Sequence, residues 1–190
     1  MKNKINSDEN NSDGDMKKVK TKIWIKTLLY SYKVFPRLIS TIDKIVELQA
    51  SNFSFSSNIF NSSSKLESQF EKVIDMSERK KSLVNIHIMM TKMLNDLPYE
   101  SKKLVEYKFI DNMTSEDIAT ELEISERTVY RKIQKVLDEV YGYFFDNRWS
   151  LEFIEFQVRN EDWLFEKFNF YFREYLEGLK QNQSRSSSES

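Results

Sequence analysis

Cysteine is absent from this sequence of 190 residues, and proline, glycine and histidine are scarce. The lack of cysteine excludes disulfides and thiolate metal sites. Only three glycines and two prolines are present, whereas a β-sheet protein needs many turn residues. These shortages favour an all-α fold built from long helices.

Long apolar runs and catalytic signatures are missing as well. No apolar run approaches the roughly 18 residues that span a bilayer, and the polar N-terminus lacks the apolar core of a signal peptide. We therefore expect a cytoplasmic protein with no membrane partner. His87 is the only histidine and the three glycines are isolated, so we expect no metal site, no cofactor, no phosphate-binding loop and no enzymatic activity.

Charge of one sign is not in excess, because the formal net charge is −1. A protein that coats nucleic acid would be strongly basic. Any contact with DNA must therefore come from a local patch. One basic run, Lys17, Lys18, Lys20, Lys22 and Lys26, is open to two interpretations: it follows a DNA backbone, or, as we prefer, it is the solvated start of a helix.

The chain divides into five segments by composition. Residues 1–15 are rich in Asn, Asp and Ser, and residues 181–190 are Ser-rich. Both ends are expected to be disordered, because they bury too little to offset their ordering entropy. Periodic apolar positions indicate helices between them. The expected segments are a disordered tail 1–15, a helical hairpin 16–96 with a Ser-rich loop 51–64, a helix-turn-helix domain 97–145, an aromatic-rich helical extension 146–180 and a disordered tail 181–190.

The hairpin is predicted from a heptad-like seam of apolar residues between Ile25 and Val46, which resembles a coiled coil. Pro36 interrupts it, so either one helix kinks there or a second helix begins with Pro36 in its first turn. Residues 64–67 (SKLE) form a capping-box pattern that opens the next helix. The seam continues from Leu66 to Leu94, which predicts antiparallel pairing, either as an intramolecular core or as part of a homodimer.

Residues 114–133 carry the pattern of a helix-turn-helix. Thr114 and Ser125 are positioned to cap two helices that are separated only by Glu123 and Ile124. Two helices joined so closely must cross steeply around a small shared core. The five positions expected in that core are all aliphatic, namely Ile118, Leu122, Ile124, Val129 and Ile133. Ala119 lies where the helices approach most closely.

The second helix of such a pair enters the major groove of double-stranded DNA with its N-terminal residues first. Arginine can bridge the two acceptors of guanine, and glutamine can pair with adenine. Lysines and capped helix amides bind phosphates. The DNA-binding residues predicted on this basis are Thr114, Ser125, Glu126, Arg127, Thr128, Tyr130, Arg131, Lys132, Gln134 and Lys135.

This segment resembles region 4 of the sigma-70 family. The resemblance covers residues 97–137, with its Leu97–Pro98 opening, the EYKF stretch at 106–109, DIA at 117–119 and ISERTVYR at 124–131. The wider stretch 20–141 is similar to phage sigma-like transcription regulators of the ArpU and RinA kind, in which a helical hairpin precedes the same motif. The abundance of Lys, Asn, Ile and Ser resembles that of mollicute proteins.

The resemblance implies a DNA-binding transcription regulator and leaves contact with RNA polymerase open. Two alternatives remain: a phage-derived packaging or recombination accessory protein that uses the same motif, and a helical adaptor that does not bind DNA. Glu123 departs from the family, which usually has glycine at the turn, and should carry strain of roughly 1 kcal/mol. Acidic residues such as Asp111, Glu116 and Glu121 must face away from a duplex.

The extension after Asp146 carries many aromatic side chains interleaved with carboxylates. Aromatic side chains can stack on single-stranded bases, but the acidic residues would repel a phosphate backbone. We therefore expect the extension to pack on the helical body or to dock onto a protein partner.

Overall fold

The structure is a computed structural model that describes residues 5–56 and 63–188, with side chains described for residues 14–51 and 67–181. Within those ranges the secondary structure is eight α-helices and one π-helical turn, with no β-strand. The all-α prediction is confirmed. The helices are α1 (Ile5–Ser31), α2 (Val34–Ser56), α3 (Ser63–Asp96), α4 (Tyr99–Val105), α5 (Ser115–Glu121), α6 (Glu126–Asp146), α7 (Leu151–Val158) and α8 (Asp162–Ser188), and the π-helical turn is Glu106–Ile110.

The helical ends differ from the expected tails and loop. Residues 5–15 lie in α1 and residues 181–188 lie in α8, where disorder was expected. Extending a helix adds one hydrogen bond for each residue that is fixed, so polar residues can continue a helix nucleated elsewhere. The Ser-rich loop is shorter than expected, because α2 continues to Ser56 and α3 begins at Ser63. Residues 1–4, 57–62 and 189–190 lie outside the described residues, as do the side chains of Ser64, Lys65 and Leu66 in the predicted capping box.

Two separate helices meet just before Pro36, and no single helix is kinked at this proline. α1 ends at Ser31, and α2 begins at Val34, so Pro36 is the third residue of a new helix. The amides of a first helical turn have no intrahelical acceptor, and proline therefore costs little there. Of the two alternatives for Pro36, the second is confirmed.

The predicted hairpin consists of α2 and α3 only. The two helices run antiparallel, with the Lys80 ammonium of α3 paired to the carboxylate of Asp43 on α2. Near the start of α2, Tyr32 of the preceding turn stacks on His87 of α3, with ring centres 5.1 Å apart. The Tyr32 hydroxyl lies 2.9 Å from the hydroxyl of Thr91. The prediction that residues 16–50 form one arm of the hairpin was wrong, because α1 packs elsewhere.

Helix α1 runs through the centre of the described structure. Trp24, Ile25, Leu28 and Leu29 have no exposed surface, and α1 contacts α6, α7, α8 and the π-helical turn. A helix that is apolar on most of its circumference is stable only when neighbours cover several of its faces. The half of the supposed seam that lies in α1 is therefore core for the whole molecule, not one side of a coiled coil.

The aromatic extension forms two helices that belong to the same core. The Trp24 ring stacks on Phe168 with ring centres 4.4 Å apart and meets the edge of Phe165 at 5.1 Å. Leu151, Ile154, Val158 and Leu164 are buried in the same cluster. Of the two expectations for the extension, packing on the helical body is confirmed.

A buried ion pair ties the extension to the hairpin. The carboxylate of Glu161, between α7 and α8, is 1% exposed and accepts two hydrogen bonds from Arg79 of α3, at 2.6 and 2.9 Å. The indole N–H of Trp163 donates a third at 2.7 Å. The carboxylate raises the pKa of Arg79 by hydrogen bonding to it. A carboxylate can be buried only with such partners.

Candidate nucleic-acid interface

Helices α5 and α6 cross around the small core that the sequence predicts. Ile118 and Val129 have no exposed surface, and Ile133 is 6% exposed. Leu122, Ile124 and Ala119 are half-buried against the same cluster. Burial of this aliphatic set fixes the direction in which α6 leaves α5.

Both predicted N-caps are present. The hydroxyl of Thr114 accepts a hydrogen bond from the amide of Asp117 at 3.1 Å, and the Asp117 carboxylate accepts one from the amide of Thr114 at 3.2 Å. This is a reciprocal capping box with Asp at its third position. The hydroxyl of Ser125 accepts from the amide of Thr128 at 3.3 Å and thereby begins α6.

The turn between the two helices is left-handed at Glu123, whose φ is 52°. The amide of Ile124 donates to the carbonyl of Ala119 at 3.0 Å, and the amide of Glu123 donates to that of Thr120 at 3.3 Å. This pair of bonds is a Schellman motif, which usually has glycine at the left-handed position. The predicted conformation of Glu123 is confirmed.

Replacing Glu123 with glycine should therefore stabilise the fold. Glycine adopts a φ of 52° without a Cβ clash, and the gain is up to about 1 kcal/mol after its larger unfolded-state entropy is counted. Urea denaturation followed by circular dichroism measures the change. In the matched control, Glu116→Gly, the exposed glutamate lies inside α5 and its replacement should lower stability by about 0.5–1 kcal/mol. Destabilisation by Glu123→Gly would contradict the assigned turn geometry.

The outer face of α6 presents most of the predicted DNA-binding side chains. Glu126, Arg127, Tyr130, Arg131, Gln134 and Lys135 are exposed, while Thr128 and Lys132 are half-buried. The spacing of Arg127, Arg131 and Gln134 by four and three residues places them on one side of the helix. Thr114 and Ser125 are exposed, and their hydroxyls are occupied by the caps.

Three of the four cations on this face have no carboxylate partner among the described residues. Within the residues that the structure describes, Arg127, Arg131 and Lys132 form no ion pair. Lys135 forms a long one, with its ammonium nitrogen 4.0 Å from a carboxylate oxygen of Glu139. Three nearby acidic groups have partners of their own. Asp111 binds Lys33 at 2.7 Å and Glu121 accepts from the Tyr107 hydroxyl at 3.2 Å, and further along α6 Asp138 pairs with Lys22. The domain therefore has a local basic patch although acidic residues outnumber basic ones.

Three of the five lysines in the basic run of α1 form ion pairs within the fold. Lys17 pairs with Glu152 at 2.6 Å, Lys22 pairs with Asp138, and Lys26 lies 3.8 Å from Glu174. Neither interpretation of this run from the sequence included these pairs. They join α1 to α7, α6 and α8, which are distant in sequence, so no local pattern could have indicated them.

Sequence reasoning also missed that α8 flanks α6. A cavity of about 320 Å³ is lined by Gln134 of α6, Lys26 of α1 and Tyr171, Glu174 and Tyr175 of α8. Burial lowers the pKa of Lys26 and raises that of Tyr171 to about 12. Gln134 is therefore at the margin of the outer face of α6, next to α8. Arg127 and Arg131 lie nearer the N-terminus of α6.

Comparison with known families decides what kind of domain this is. Residues 87–139 match the family described as Sigma-70, region 4. The protein contains a sigma region 4-like helix-turn-helix. Domains of this family occur in DNA-binding regulatory proteins. No curated protein and no solved structure matches the chain.

The region 4 match begins at His87, inside α3, and ends at Glu139, inside α6. The structure shows how the end of α3 supports the domain. Tyr143 of α6 donates to Asp96 at 2.6 Å, and Ser101 of α4 donates to Glu139 at 2.6 Å. Burial, with the hydrogen bond to Asp96, raises the pKa of Tyr143 to about 12.

No helix in the described residues is long and apolar enough to cross a membrane.

Proposed function

We propose that the protein is a transcription regulator that reads double-stranded DNA with α6 in the major groove. The observation that carries this proposal is the outer face of α6, where the region 4 motif holds Arg127, Arg131 and Lys132 without ion pairs to the described residues. Arg127 and Arg131 are the base-reading side chains, and Lys132 and Lys135 bind phosphates. Gln134 adds an amide that suits adenine.

Replacement of either groove-facing arginine by alanine should weaken binding to a selected site. Arg127→Ala or Arg131→Ala removes a side chain that bridges guanine, which costs about 1–3 kcal/mol of specific binding. The target is first selected from a random duplex library with the parent protein. Affinity is then measured by fluorescence anisotropy at several salt concentrations.

The matched control is Arg159→Ala, because Arg159 is also exposed but stacks on Phe156 of α7, with its guanidinium carbon 4.1 Å from the ring centre. Its replacement should leave affinity unchanged. Helical content should be the same for all variants. Wild-type affinity in both α6 variants would exclude this docking geometry.

The regulator is proposed to work beside RNA polymerase, as the region 4 resemblance implies, and to belong with the phage sigma-like regulators. A promoter fused to a reporter separates this role from a packaging or recombination accessory, which would bind DNA without changing expression. A helical adaptor would show no salt-dependent DNA binding at all. Homodimer formation stays a prediction of the sequence.

A further inference from the structure

A second cavity, of about 690 Å³, opens at the C-terminal end of α6. It lies between α1, the last turn of α6 and the first turn of α7. Its volume falls within the range of about 300–1,000 Å³ that is typical of small-molecule sites. It is separate from the DNA-reading face, because its lining residues on α6 begin at Tyr141.

Three aromatic side chains form the apolar part of this cavity, namely Tyr141, Phe145 and Trp149. The Trp149 ring is held in place, because it meets the edge of the buried Phe144 ring at 5.2 Å and lies 5.6 Å from Tyr143. Phe145, by contrast, is 74% exposed. An exposed ring beside a fixed ring provides surfaces on which a flat ligand can stack.

The cavity is also cationic. Among the residues whose side chains are described, Lys17, Lys18 and Arg148 line it together with one carboxylate, that of Asp146. Glu152 outside the lining binds Lys17 at 2.6 Å, so the described groups are three cations and two carboxylates, with a net charge of +1. Lys18 lies over the ring of Tyr141, 5.6 Å from its centre, and forms no ion pair with the described residues.

Arg148 lies in a left-handed turn just after the C-terminus of α6. Arg148 has a φ of 58°, and the amides of Arg148 and Trp149 close the end of α6 by donating to Phe145 and Phe144, at 3.0 and 2.9 Å. A left-handed arginine at a helix C-terminus is uncommon, since glycine is the usual choice. The arginine thus lines the same cavity as Trp149 at a cost in backbone strain.

We propose that this cavity binds a small planar aromatic carboxylate, which is stacked on Phe145 and Trp149 and held by Arg148 and Lys18. The rings match the flat part of such a ligand, and the local charge of +1 matches one carboxylate. Guanidinium groups bind carboxylates with two parallel hydrogen bonds. The site is thus chemically distinct from the DNA-reading face, although both lie on α6.

The test is calorimetric titration of the full chain with 2-naphthoate, with no DNA present, so its result is independent of the proposed function. We expect one saturable site. The neutral analogue 2-naphthamide keeps the rings but lacks the charge, and should bind about tenfold more weakly or worse. Equal binding of the two compounds, or no saturation at millimolar 2-naphthoate, would overturn the proposal.

Two substitutions in the cavity and one control test whether 2-naphthoate binds there. Arg148→Gly removes the guanidinium while accommodating the positive φ, and Lys18→Gln removes the ammonium; each should weaken 2-naphthoate binding about tenfold. Arg159→Gln, at the far end of α7, should bind like the parent. Parent-like affinity in both cavity variants, or an equal loss in Arg159→Gln, would show that the ligand binds elsewhere. Circular dichroism checks that each variant is folded.

Discussion

Truncation of the chain after Asp146 is expected to unfold the remaining protein instead of releasing a stable DNA-binding unit. The truncation removes Leu151, Ile154, Val158, Leu164 and Phe168 from the core and exposes the ring of Trp24, which has no exposed surface in the full chain. Each large buried side chain contributes about 2–5 kcal/mol, and whole domains are stable by only about 5–15 kcal/mol. Thermal melting followed by circular dichroism measures the loss.

A second truncation, after Lys180, is the control for this experiment. It keeps the stacking of Trp24 on Phe168 and of Tyr30 on Tyr171, with ring centres 4.4 and 5.4 Å apart. It should therefore melt close to the parent. If the chain shortened after Asp146 also melts cooperatively near the parent temperature, the extension is a docking arm and not part of the core.

Replacing Arg79 with methionine is expected to lower the free energy of unfolding by about 3–5 kcal/mol. The substitution keeps most of the apolar stem but leaves the Glu161 carboxylate, which is 1% exposed, with only the Trp163 indole as a hydrogen-bond donor. An unpaired buried carboxylate is far more costly than an absent ion pair. Urea denaturation gives the value.

Two further variants test the cause of that loss. Lys80→Met removes the neighbouring ion pair with Asp43, whose side chains are 38% and 42% exposed, and should cost less than about 1 kcal/mol. The double variant Arg79→Met with Glu161→Gln replaces the stranded charge by a neutral amide and should recover part of the stability. A loss for Arg79→Met no larger than that for Lys80→Met would refute the role of the buried pair.

The features that the sequence predicted well are local ones. The caps at Thr114 and Ser125, the aliphatic core of α5 and α6 and the left-handed Glu123 all depend on residues within about twenty positions of one another. Steric and hydrogen-bonding rules act directly at that range. The same holds for the start of α2, with Pro36 in its first turn, for which the sequence left two alternatives and the structure selects one.

The features that it missed depend on which helices become neighbours. A seam along α1 and α2 was consistent with a coiled coil, and the placement of α1 under α8 overrode it. The partners Arg79 and Glu161 are 82 positions apart. The π-helical turn at Glu106–Ile110 was also missed; there the amide of Asp111 donates to the carbonyl of Glu106 at 2.8 Å, one residue beyond the α-helical pattern.

The position of α1 beneath α8 has a consequence for biosynthesis. The Lys167 ammonium donates to the carbonyl of Tyr30 at 3.1 Å, across a separation of 137 residues. A ribosome adds about 5–20 residues per second, so Tyr30 waits about 7–27 s for this partner. During that interval the apolar faces of α1 around Trp24 and Leu28 are uncovered in the nascent chain. Until α8 has been synthesised, this exposed apolar surface makes the nascent chain prone to aggregation.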